Sequence, residues 1–221
     1  PDLEFIHTSE ALNLYVFPEE LDYADQRPLD ASWHRLDSSV RETDPDFELP
    51  EVVADRPEGS GLVYLSLGSL GSADVDLMKR LVRVLGQTPH RYIVSKGPQH
   101  ADYELADNMW GAEFVPQTRI MPMVDAVITH GGNNTTTEAI HYGKPMIVLP
   151  LFWDQYDNAQ RVDETGYGVR LATYRFSQEE MNAALETVLR DEAVRARAAA
   201  AGERVRSSDG LRRAADLIEA L

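Results

Sequence analysis

From residue 59 onward the chain alternates short apolar runs with longer amphipathic stretches. The run over 62–67 is apolar and short enough to be a strand. In the segment that follows, Val75, Met78, Leu81, Val82 and Leu85 recur at helical spacing on one face. Gly86 then stands where a helix commonly ends in the C′ position. Further strands are predicted over 92–94, 113–115, 124–129, 145–149 and 169–172, with helices over 134–142 and 156–164 between them. The 145–149 run is almost continuously apolar, which predicts a strand covered on both faces. Gly143 is placed to stop the helix before it. Ala- and Arg-rich helices close the chain from 177 onward. Strands alternating with helices at this spacing require right-handed crossovers. The expected fold is therefore α/β, a Rossmann-like open parallel sheet of about six strands with helices on both faces.

The first part of the chain lacks that rhythm. Pro18, Pro28, Pro45, Pro50 and Pro57 punctuate a stretch rich in Asp, Glu and Ser, the composition of a linker crossing a surface. Only 12–17 alternates well enough to suggest a strand. The boundary is expected near 57–61, dividing the chain into 1–57 and 58–221. A first residue of Pro suggests a fragment or a processed chain.

Charge sharpens this division. The chain carries a formal net charge of −16, of which residues 1–58 contribute −12. Such a balance argues against a nucleic-acid partner, which needs clustered Lys and Arg. An anionic ligand would have to be held in the later region by local dipoles and a few cations. There is no Cys, which excludes disulfides and thiolate metal sites. No apolar run reaches the roughly 18 residues that suggest a membrane span, and no leader pattern opens the sequence. The location expected on these grounds is cytoplasmic.

The segment ITHGGNNTTTEAIHYGKP, residues 128–145, holds the most specific chemistry. A β-branched strand ends in His-Gly-Gly and opens directly into a helix. Free backbone N–H groups and the positive end of a helix dipole then point to one place, which suits a phosphate or diphosphate. Gly131 and Gly132 would let a ligand approach the main chain, and Asn133, Asn134 or Thr135 could cap the helix or donate to phosphate oxygens. His130 could donate a ring N–H to the same group. A plain tight turn with a good N-cap fits the spacing equally well.

In an open parallel sheet, ligands bind at the carboxyl ends of the strands. The polar and Gly-rich loops over 68–72, 95–97, 115–117, 130–135 and 150–155 all fall there. Gly68-Ser69-Leu70-Gly71 is a second strand-to-helix turn. It is not the dinucleotide fingerprint, because Leu70 occupies the place of the second Gly. Lys96 is a loop cation that could neutralise a diphosphate or simply be solvated. Asp154 and Gln155 offer acceptors and an amide donor for sugar hydroxyls, or a helix cap. Phe152 and Trp153 fit either the core or the face of a sugar. Glu138, one turn into its helix, could accept from a ribose diol or merely be exposed. There is no G-x-S-x-G elbow, no H-E-x-x-H pair and no cluster of metal ligands. His90, His100 and His141 have no evident local partner. A ligand site is better supported than a catalytic base.

Four motifs taken together resemble a known family. FVPQ at 114–117, HGGNNTTTE at 130–138, GKPMIVLP at 143–150 and DQYDNAQRV at 154–162 look like the donor-binding signature of the UDP-glycosyltransferase superfamily, which includes macrolide-type transferases. The similarity runs over 59–221. The resemblance implies that 58–221 is the C-terminal, nucleotide-sugar domain of a GT-B fold. Residues 1–57 would be the end of the N-terminal acceptor domain plus the interdomain linker. Phe114 would stack on the base where the family usually has Trp, leaving UDP or dTDP open, and Val115 would pair with the base through its backbone. Gln117 would lie by the base or ribose, and Glu138 would take the ribose hydroxyls. His130, Gly132, Asn134 and Thr135 would hold the diphosphate, Ser69 would close it, and Asp154 and Gln155 would orient the sugar.

The implied reaction is inverting transfer of a sugar from a nucleotide diphosphate sugar to a hydroxyl of a small-molecule acceptor. No metal and no cofactor are implied. The family's catalytic His and Asp belong to the acceptor domain, so this chain alone would be inactive and would contribute leaving-group stabilisation by His130. His7 and His34 are not candidates for the missing base. Natural-product acceptors are expected by family analogy. Two alternatives stay open: a non-catalytic nucleotide-sugar-binding module or one half of a split transferase, and a sugar-nucleotide epimerase.

Overall fold

The computed structural model describes residues 8–41 and 43–221, so His7 lies outside the described residues. Two short strands come first, β1 (Asn13–Tyr15) and β2 (Trp33–Arg35), paired in parallel with Leu14 opposite His34. The alternation over 12–17 thus yields a strand of three residues. A one-turn helix, α1 (Glu51–Ala54), closes the acidic stretch.

The main sheet is built from β3 (Leu62–Ser66), β4 (Arg91–Ser95), β5 (Met109–Ala112), β6 (Ala126–Thr129), β7 (Met146–Val148) and β8 (Gly168–Arg170). All neighbours are parallel, in the order β5-β4-β3-β6-β7-β8. Between the strands lie α2 (Gly68–Gly71), α3 (Val75–Leu85), α4 (Gln117–Ile120), α5 (Asn133–His141) and α6 (Asp154–Glu164). The chain closes with α7 (Gln178–Arg190), α8 (Glu192–Ser207) and α9 (Gly210–Glu219).

Both faces of the sheet are covered, which explains the continuous apolar strands. Successive β3 residues serve opposite cores. Val63 and Leu65 pack with Met78 and Leu81 of α3 and Leu185 of α7. Leu62 and Tyr64 pack with Ile140 of α5, Val162 of α6 and Val205 of α8. The expected fold class is the one observed. No helix among the described residues is long and apolar enough to cross a membrane.

Three local expectations need correction. The third strand is β5, ending at Ala112, and residues 113–115 form the loop after it. Its signal is weak because Gly111 interrupts the apolar pattern, and a Cβ there would collide with the Val94 carbonyl oxygen. The last strand begins at Gly168 rather than Val169 and ends at Arg170. Gly86 is not left-handed but continues the helical conformation at φ −62°. It is glycine for space, since a Cβ would lie 2.8 Å from both the Ala106 Cβ and the Val82 carbonyl oxygen. Gly143 does stop α5 in the left-handed region, at φ +67°. Its N–H reaches the Ile140 carbonyl at 2.9 Å and the Lys144 N–H reaches that of Ala139 at 2.8 Å, a Schellman closure.

The acidic stretch is strapped to the main domain at several points. Leu21 and Val53 are fully buried in the core on the α5, α6 and α8 face. Arg204 of α8 binds Glu20 at 2.5 Å and Asp37 at 2.9 Å. Arg161 of α6 binds Asp25 at 2.8 Å and stacks on Tyr23. The excess negative charge of this stretch is thereby partly neutralised by cations of the later helices.

Candidate functional site

The strand order reverses between β3 and β6, so the loops leaving these two strands diverge and open a crevice at their carboxyl ends. The turn after β6 contains His130, Gly131 and Gly132. Gly131 takes φ +87°, and its Cβ position lies 2.8 Å from Val148 Cγ1. Gly132 is the N-cap of α5, and no side chain caps that helix. The first helical bond runs from the Thr136 N–H to the Gly132 carbonyl at 3.0 Å. The N–H groups of Asn133, Asn134 and Thr135 are therefore left for a ligand or solvent. The alternative of a side-chain-capped turn does not hold. Asn133 is engaged elsewhere, because Asn158 Nδ2 donates to its Oδ1 and to the Gly131 carbonyl, both at 2.8 Å.

His130 is wedged between two glycines. A Cβ on Gly68 would lie 3.0 Å from the ring's Cε1 and Nε2, and one on Gly132 would lie 2.5 Å from Nε2. Burial pushes the imidazole below its usual value of 6.5, while Asp154 and a backbone hydrogen bond with Ser66 act in the opposite sense. Burial thus favours the uncharged ring, which can still act as a hydrogen-bond donor. Ser69, His130, Gly132, Asn134, Thr135 and Gln155 line one cleft of about 420 Å³. Gly68, Leu70, Asn133 and Phe152 complete its wall, and among the described residues no Lys or Arg lines it. Lys96 is turned away: its Nζ donates to the Tyr103 carbonyl at 2.9 Å and stacks on that ring. An anion in this cleft would meet dipoles rather than cations.

Glu138 sits one turn further along α5 and is half-buried. Gln117 Nε2 donates to its Oε2 at 2.5 Å, while Gln117 Oε1 accepts from the Tyr64 hydroxyl at 2.9 Å. Burial pushes the carboxyl up; Gln117 and Arg41 pull it down and Asp44 raises it again. The other Glu138 oxygen has no partner among the described residues. Gln155 Oε1 accepts from the Leu151 and Phe152 N–H groups at 3.0 and 3.2 Å, leaving its Nε2 to donate into the cleft.

Asp154 is the first residue of α6 and is exposed; it is not part of the cleft wall and, among the described residues, its side chain caps no helix. The N-cap there is Trp153, 84% exposed and held at φ +53°, an uncommon conformation for a bulky residue. Phe114 is 68% exposed at the end of the loop after β5, and no described group uses the Val115 N–H or carbonyl. Both lie apart from the cleft. The 95–97 loop packs on Ser72 and does not line it either.

Two contributors are absent from the sequence reading. Asn158 anchors the glycine turn; a polar residue on the apolar face of α6 is a signal that could have flagged it. Ser39, Val40 and Arg41 of the strap face Asn134 and Glu138 across a smaller cavity of about 160 Å³, and nothing in a linker-like composition marks them.

The family model for UDP-glucuronosyl and UDP-glucosyl transferases matches residues 39–200. The chain belongs to this family. It is 30% identical to a sterol 3-beta-glucosyltransferase of Yarrowia lipolytica, over 89% of this chain and 14% of the relative. It is 29% identical to the NDP-glycosyltransferase YjiC of Bacillus subtilis, over 98% of this chain and 55% of the relative. The solved glycotransferase of kitacinnamycin superposes with a TM-score of 0.80 at 25% identity, covering 95% of this chain and 54% of that one. The chain thus spans about half the length of the Bacillus relative and of the solved chain, and a smaller part of the fungal relative. The GT-B likeness inferred from the four motifs is shown by these matches, and this chain corresponds to the C-terminal half of the larger solved chains.

Proposed function

We propose that this member of the UDP-glycosyltransferase family binds a nucleotide diphosphate sugar, UDP- or dTDP-linked, in the crevice at the carboxyl ends of β3 and β6. The observation that carries this reading is the end of α5. Three uncapped N–H groups and a neutral His130 converge on a cleft from which the next helical turn leads to Glu138. The diphosphate sits on the helix N-terminus with Ser69 opposite, and Glu138 accepts from the ribose. Val115 offers its backbone to the base and Phe114 stacks on it. Gln155 Nε2 and Asp154 orient the sugar from the start of α6.

The chemistry follows from where charge develops. In an inverting displacement an acceptor hydroxyl attacks the anomeric carbon and the nucleotide diphosphate leaves, so negative charge grows on the phosphate oxygens. Oriented N–H dipoles and the His130 ring stabilise that charge without reorganising. We take 58–221 as the donor-binding domain and 1–57 as the tail of an acceptor-binding domain with its linker. The base that deprotonates a small-molecule hydroxyl belongs to that acceptor domain. A thermal-shift screen of UDP-, dTDP- and GDP-sugars tests the reading. A shift with one base class and not the others is expected, and no shift with any of them removes it.

A further inference from the structure

The phosphate cleft has no cation of its own, yet a nucleoside diphosphate brings more than one full negative charge at neutral pH. Helix dipoles and neutral donors meet part of that demand. A candidate for the rest lies on the strap before the main domain. Arg41 lines the smaller cavity together with Ser39, Val40, Asn134, Thr137 and Glu138. Asn134 is a wall of both cavities, so the two lie next to each other at one residue of α5.

The Arg41 side chain is exposed and is tied to the strap by one carboxylate. Asp44 Oδ1 binds Arg41 Nε at 3.2 Å. The other oxygen of Asp44 accepts from the Thr118 N–H at 3.1 Å and the Thr118 hydroxyl at 2.9 Å, fixing the strap to α4. The neighbouring residue of α4 is Gln117, which holds Glu138. Arg41, Asp44, Thr118, Gln117 and Glu138 therefore form a series of neighbours whose two ends, Arg41 and Glu138, line the same hollow. The terminal nitrogens of Arg41 have no partner among the described residues.

We propose that Arg41 closes the nucleotide site from the strap, placing its terminal guanidinium nitrogens on the phosphate next to the ribose held by Glu138. This rests on the donor-site reading above and adds a phosphate-binding residue from outside the strand-end loops. In a chain of net charge −16, one oriented cation at this point also favours the approach of an anionic donor.

The test is calorimetric titration of the full chain and of its Arg41→Ala and Arg41→Lys variants with UDP and dTDP, and with uridine and thymidine. Arg41→Ala is expected to weaken the diphosphate that the wild type binds by about ten- to hundredfold, the loss typical of a charge-assisted hydrogen bond. The parent nucleoside should change less than about twofold, since no hydrogen bond from the cation to the phosphate is involved. Arg41→Lys should recover part of the loss, and added salt should affect the Ala variant less than the wild type. Unchanged diphosphate affinity in Arg41→Ala would overturn the proposal. So would an equal loss for diphosphate and nucleoside, which would make Arg41 a wall of the ribose pocket only. Failure of the wild type to bind either diphosphate would instead overturn the donor-site reading itself.

Discussion

Gly132 leaves room for His130: the ring's Nε2 lies 2.5 Å from where a Cβ on Gly132 would stand. The backbone of Gly132, at φ −64°, would accept any residue. The demand for glycine comes from the contact, so Gly132→Ala should displace the imidazole while α5 stays formed. Donor affinity should fall about tenfold or more, the scale of one strong hydrogen bond, with the circular dichroism spectrum intact. Wild-type affinity in this variant would show that the position of the imidazole does not govern donor binding.

His130→Ala, assayed for the proposed sugar transfer, should lower kcat by about 10²- to 10³-fold, as removal of one preorganised donor to a developing anion does. The effect on donor binding should be much smaller. Turnover close to wild type would take His130 out of the phosphate role.

Glu138 is expected to act in the ground state. Its Oε2 is occupied by Gln117 and the remaining oxygen is open to a ribose. Glu138→Ala should therefore raise the donor Kd about tenfold or more while changing kcat at saturation little. A variant with normal Kd would return Glu138 to a purely structural partnership with Gln117 and Tyr64.

Three histidines give the fold an acid-sensitive edge. Burial pushes His90, His130 and His141 below 6.5. The unfolded chain takes up protons near that value and the folded chain resists them. Stability should be undiminished above it and should fall as pH drops below it toward the lowered values. His90 is the clearest case, buried with its Nδ1 accepting the Gly61 N–H at 3.0 Å. Urea midpoints should fall between about pH 7.5 and about pH 5.5, and less so in His90→Asn, which can retain an acceptor. Equal slopes in both proteins would refute the assignment to His90.

Arg204 joins the strap to α8 through two carboxylates that are largely buried. Because the guanidinium itself is about a third exposed, Arg204→Ala should cost about 1–3 kcal/mol, less than a fully buried pair. Donor affinity should be unaffected. A change below about 0.5 kcal/mol in chemical denaturation would mark the network as a surface feature.

Much of this architecture was legible from local pattern. The apolar runs that became β3, β4, β6 and β7 are short, flanked by turn residues and spaced by helix-length stretches. A strand covered on both faces leaves that imprint whatever its neighbours. The turn from His130 to Thr135 was legible for a similar reason, since a strand ending in Gly-Gly before a helix has few other conformations. Where local pattern failed, the cause was a contact distant in sequence. β5 is interrupted by a glycine that exists because Val94 passes beside it, and Gly86 is small because Ala106 does.

The candidate site divides along the same line. Sequence alone was enough to name a dipole-rich strand-to-helix turn and the residue types around it, because orphan N–H groups and missing Cβ atoms are properties of a few consecutive residues. Only the tertiary structure decided that His130 is clamped between Gly68 and Gly132, that Gln117 is spent on Glu138, and that Lys96 turns away from the cleft. It also decided that an acidic, proline-rich strap folds back to place Arg41 beside Asn134. Each of these depends on which elements the sheet order brings together, and β3 and β6, more than fifty residues apart in the chain, meet only because the order reverses between them.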